Sequence, residues 1–97
     1  MNMDEILESE FSLDFVEKMK NRMLMSYFKY GFVYDNCSNG KVDALVNLER
    51  RVEKYRETGN TEWLVDAANF AMIEFMYPQH KDAHFRATDS DESPEIK

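Results

Sequence analysis

Five side chains in the second half of this chain have the types and spacing to do chemistry together. Glu62, Asp66 and Asn69 stand at steps of four and three, which places them along one face of a helix. Glu49 and Glu53, four apart, share a face in the preceding segment. If the chain turns back at Gly59, residues equidistant from it face each other, so Glu53 is expected near Glu62, and Glu49 near Asp66 and Asn69. Four carboxylates drawn into a partly dry groove repel by on the order of several kcal/mol unless protons shift or a cation intervenes. A hard dication, Mg²⁺ or Mn²⁺, relieves that repulsion with oxygen ligands and keeps positions open for substrate phosphates. The plainer alternative is a charged surface, because Arg50, Arg51, Lys54 and Arg56 lie on the same segment and would form solvated ion pairs with the acids. Asn69, between Ala68 and Phe70, needs a polar partner if it is buried: a backbone group, Asp66, a metal or a nucleobase.

Charge elsewhere is unevenly placed. Asp4, Glu5, Glu8, Glu10, Asp14 and Glu17 precede the first base, after which Lys18, Lys20, Arg22 and Lys29 run without an acid until Asp35. That basic interval is where an anion would be welcome. The single cysteine, Cys37, has no partner for an internal disulfide and sits in a turn-rich stretch with no recognisable Cys–His pairing, which reads as an ordinary loop thiol. His80 and His84 would face one way on a helix, as a zinc pair requires, but Pro78 and the lack of further Cys or His nearby favour surface histidines.

The elements that must position these residues are helical. Phe15, Val16, Met19, Met23, Tyr27 and Tyr30 recur at three- and four-residue steps, predicting a helix from Ser12, its N-cap, to about Phe32. The turn formers from Tyr34 to Gly40 predict a loop. Val42, Leu45, Leu48, Val52 and Tyr55 predict a second helix from about Lys41 to Thr58. Gly59 and an Asn60 cap then start a third helix at once, running to about Tyr77 before Pro78, so the two form an antiparallel hairpin. The third is apolar over most of its circumference and is expected to be the central element. The architecture is therefore an all-α small helical bundle of three main helices in one domain over 1–86, followed by a short acidic tail over 87–97 that folds little by itself.

Composition narrows the function classes. Ninety-seven residues with 43% hydrophobic and 32% charged suit one soluble domain, and no apolar run approaches the ~18 residues of a bilayer span. Three Gly and two Pro disfavour turn-rich β architectures. A net charge of −7 repels phosphate backbones, so direct DNA or RNA binding is not expected. The single cysteine and the lack of a basic and apolar leader point to the cytoplasm.

The run Leu48-Glu49-Arg50-Arg51-Val52-Glu53, a short connector and Glu62-Trp63-Leu64-Val65-Asp66-Ala67-Ala68-Asn69-Phe70-Ala71 resembles the paired acidic helices of the MazG-like, all-α nucleoside triphosphate pyrophosphohydrolases. Phe28-Lys29-Tyr30-Gly31 is also similar to a segment after the first helix in related nucleotide-modification proteins. The likeness covers about half the chain. It implies a dimeric bundle that binds Mg²⁺ or Mn²⁺ and converts a nucleoside triphosphate to monophosphate and pyrophosphate. On that likeness Glu49, Glu53, Glu62 and Asp66 hold the metal, Glu53 or Glu62 acts as general base, Asn69 touches the nucleotide and Lys29 meets phosphate. This chain departs from the family pattern in spacing: both acid pairs are four apart, where the family usually has three.

A second class of function competes: a non-enzymatic inhibitor or adaptor, of the kind found in phages and mobile elements, whose acidic surface binds a basic protein partner. Under either reading the apolar residues that a single hairpin leaves uncovered, Phe70, Ile73 and Phe75 among them, predict a homodimer.

Overall fold

The computed structural model describes residues 2–88. They form an all-α fold of five helices with no strand among the described residues: α1 (Met3–Glu10), α2 (Leu13–Tyr30), α3 (Val33–Cys37), α4 (Ala44–Thr58) and α5 (Glu62–Met76). Of the proposed tail, only Ala87 and Thr88 fall within the described residues.

Local chemistry sets the boundaries. Ser12 caps α2 by accepting from the Phe15 amide at 3.0 Å, as expected. The helix stops at Gly31, whose φ of 83° is open to a residue without a Cβ. Asp43 caps α4 by accepting from the Val46 amide at 3.0 Å, so that helix starts at Ala44 and not at Lys41. At the hairpin, Gly59 adopts the left-handed conformation with φ 72°. Asn60 Oδ1 then accepts from the Glu62 amide at 3.0 Å, and α5 follows within three residues of the end of α4.

Two segments differ from the sequence expectation. Residues 3–10, unassigned by periodicity, form α1, because Asn2 Oδ1 accepts from the Glu5 amide at 2.9 Å and Asp4 and Glu5 favour the positive end of the helix. The expected loop over 34–40 begins with the single helical turn α3. Asn36 Nδ2 donates to the carbonyls of Tyr30 and Phe32, at 3.0 and 3.3 Å, and winds the chain back onto α2. This turn carries Cys37 inward, so the thiol is a core group and not a loop one.

The packed helix pairs are α4 with α5, α2 with α5, and α2 with α3. Helix α5 is thus the floor on which α2 and α4 rest, and it supplies four of the buried residues, Val65, Ala67, Asn69 and Ile73. Ile73, Cys37 and Ala44 make the buried cluster, with Met23, Val33, Val42, Phe70 and Tyr77 packed against it. Beyond α5, Gln79 Nε2 donates to the Cys37 carbonyl at 2.9 Å, tying the emerging chain to α3. The stripe of α2 leaves the core at Tyr27, whose ring packs instead on Phe28 and Phe32 with centroids 5.4 and 5.0 Å away. Among the described residues no helix is long and apolar enough to cross a membrane.

Candidate functional site

Because α2 and α4 lie on either side of α5, a groove runs between them, closed at one end by α3. It encloses about 700 Å³, within the range of small-molecule sites. Its walls are apolar in part, through Met23, Val33, Val46 and Phe70. Its charge is opposite to that of the protein: Arg22 and Lys29 from α2, Lys41, and Arg50 and Arg51 from α4 line it, against the two acids Asp43 and Asp66. In a chain of net charge −7, that local excess of bases stands out.

The two acids are already engaged. Asp43 caps α4. Asp66, whose side chain is 14% exposed, accepts from Arg22 Nε at 3.1 Å and Nη2 at 3.5 Å, while Arg22 Nη1 lies 3.0 Å from Glu62 Oε1. One guanidinium from α2 therefore holds both α5 carboxylates, using the fork geometry that suits Arg to this task. The positive charge that the converging acids were expected to need is supplied by a side chain of the protein itself.

Of the four carboxylates predicted as metal ligands, the structure brings together Glu62 and Asp66. Glu49 and Glu53 are exposed on α4. Among the described residues no group of three or more His, Cys, Asp or Glu is placed to hold a metal ion. The donor set, with a guanidinium seated on its two inner members, does not fit Mg²⁺ or Mn²⁺ as arranged. His80 and His84 engage Asp82 locally: His80 Nδ1 accepts from the Asp82 amide at 3.0 Å, and His84 Nδ1 is 2.8 Å from its carbonyl.

Asn69 and Lys29 fare differently, since both line the groove. Asn69 is 5% exposed on the floor. Its Nδ2 donates to the Met19 carbonyl at 3.1 Å, tying α5 to α2, whereas its Oδ1 is enclosed with no hydrogen-bond partner. Arg51 was read from sequence only as a counter-charge, yet it carries the complementary orphan. Its Nη1 donates to Asn47 Oδ1 at 2.6 Å, its guanidinium carbon lies 4.8 Å from the Phe70 ring centroid, and its Nε is enclosed without a partner. A buried donor and a buried acceptor left open along one groove are costly and uncommon. Arg51 is half-buried on α4, and its only sequence signal is its place next to Val52 of the apolar seam.

Cys37 also borders the groove, and burial pushes its thiol above its ordinary value. A thiol governed by the groove's cations would move the opposite way. Compared with protein-family models, with curated proteins and with solved structures, the chain matches none.

Proposed function

We propose that this protein is a nucleotide-binding helical domain whose groove receives a phosphorylated ligand. The observation that carries this reading is the reversal of charge: five bases gather in one groove of an acidic chain, while the two acids among them are committed to a helix cap and to Arg22. Phosphate oxygens suit the exposed Lys29, Lys41 and Arg50 at the rim, where charge-assisted bonds form without moving the backbone. The apolar walls and the Phe70–Arg51 stack supply a flat surface for a base. The open acceptor of Asn69 and the open donor of Arg51 together suit a ligand that carries both a hydrogen-bond donor and an acceptor. Engaging these enclosed atoms takes a re-seating of side chains at the floor, for which Arg51 has the rotamer freedom.

Likeness to the MazG-like pyrophosphohydrolases extends the proposal to hydrolysis of a nucleoside triphosphate. That extension requires Arg22 to leave Glu62 and Asp66, and binding alone does not. Calorimetric titration with mono-, di- and triphosphate nucleotides, with and without Mn²⁺, paired with a pyrophosphate-release assay, tests both levels. Saturable binding that needs no metal is the expected result. A flat titration for every nucleotide would end the binding proposal, and metal-dependent pyrophosphate release would raise it to catalysis.

A further inference from the structure

Helix α1 is absent from the principal helix pairs of the described residues. None of its residues is buried. Nevertheless it is amphipathic: Met3, Ile6, Leu7 and, just beyond it, Phe11 recur at steps of three, one and four and make one apolar side, with Met3 78% exposed. Its charged residues are all acids, Asp4, Glu5, Glu8 and Glu10. By helical position Glu10 falls inside the apolar stripe. An acid there is a poor match for an apolar core and a good one for a groove whose apolar walls carry arginines and lysines.

We propose that α1 of a second copy of this chain lies in the groove when no phosphorylated ligand is bound, as an amphipathic helix seated in a groove. This inference rests on the anion-binding reading of that groove and names what regulates it. Charge complementarity carries the pairing, because the most acidic helix among the described residues meets a concavity lined by five bases. Reach assigns α1 to a second copy. Only Phe11 and Ser12 join α1 to α2, so α1, about 12 Å long, folds back over no more than the first part of α2. Lys29 lies about 24 Å along that helix and stays out of range. A partner's α1 has no such tether. The Glu10 carboxylate of α1 then takes the place of a ligand phosphate, and a nucleotide must displace the helix to enter.

The test is carbodiimide cross-linking of full-length protein mixed from unlabelled and isotope-labelled batches, read by mass spectrometry. Mixed-isotope links joining Glu10, the acid on the seated side of α1, to Lys29 or Lys41 are expected, along with a light-scattering mass near twice 11.5 kDa. Leu7→Asp, exposed and therefore harmless to folding, should lower the mixed-link yield about tenfold or more. Links only within one isotope, or a yield unchanged by Leu7→Asp, would overturn the proposal. None of these readouts requires a nucleotide, so they stand apart from the binding titration. If nucleotides bind and mixed links are absent, the groove is a ligand site with no helix occupant. If the links form and no nucleotide binds, the helix is the groove's occupant and the nucleotide reading fails.

Discussion

Two sets of polar side chains, one around Asp66 and one around Asn69, are treated in opposite ways. Arg22, Glu62 and Asp66 complete one another, with three contacts of 3.0–3.5 Å from a single guanidinium. Asn69, about one helical turn further along α5, and Arg51, on α4, each hold one bond and leave one atom open. The first cluster joins α2 to α5, and its groups have nothing left to offer a ligand. In the second, Asn69 ties α5 to α2 by one bond, Arg51 bonds only within α4, and a donor and an acceptor stay in reserve. Acidity marks the closed cluster and an orphaned amide marks the open one, so the residues that drew most attention in the sequence are the ones least available.

That contrast predicts a double dissociation between binding and stability. The largest effect is expected for Arg51→Ala, which should weaken nucleotide affinity roughly 10- to 100-fold by calorimetry, the size of one or two lost charge-assisted bonds. An affinity that survives this change would place the ligand elsewhere. Next is Asp66→Ala, which removes the half-buried partner of Arg22 and should lower unfolding stability in urea by about 1–2 kcal/mol. Nucleotide affinity should rise in that variant, because the groove loses an acid and Arg22 is left held only by the exposed Glu62. A complete loss of binding with Asp66→Ala would show that the carboxylate itself serves the ligand, as a catalytic site demands.

Asn69→Leu sharpens the comparison. It loses the bond to the Met19 carbonyl and also removes an unsatisfied oxygen, and these offset, so stability should change by less than about 1 kcal/mol while nucleotide affinity falls. The smallest effect belongs to Glu62→Gln, whose side chain is 54% exposed. Its stability should stay within about 0.5 kcal/mol of the parent, as for most exposed ion pairs.

Cys37 sets the limit of the groove's field. Burial raises the folded-state value of its thiol. The folded form thus keeps a proton that the unfolded form gives up, so the stability this group contributes is intact below the ordinary thiol value of 9.0 and declines as pH rises past it. Urea unfolding at pH values either side of 9.0 should show that decline, and a Cys37→Ala variant should show less of it. A stability that grows with alkalinity through Cys37 would mean that the neighbouring cations govern the thiol after all.

Much of the architecture was legible along the chain because it depends on near neighbours. The Ser12 cap, the Gly31 stop and the Gly59 turn act within a few residues, and the apolar spacing of α2, α4 and α5 is a local periodicity. Helix α1 escaped notice because its eight residues are too few for a periodic signal and its acids resemble a solvated block. The one-turn α3 was hidden by residues such as Asn36 and Ser38, which suit turns and helix ends equally. An amide on an apolar helix is visible in the sequence at Asn69, and the structure buries it. The acid cluster was legible only in its α5 half.

Sequence by itself determined α2, α4, α5 and the turn between the last two, since each depends on interactions spanning fewer than about five residues. Tertiary structure alone decided which charges meet. Arg22 and Asp66 are 44 positions apart, and nothing local ranks Arg22 above the other bases as the partner of that carboxylate. Electrostatic partners are chosen by the closing of α2 over α5, and the apolar contacts of Met23, Phe70 and Ile73 set the register of that closure.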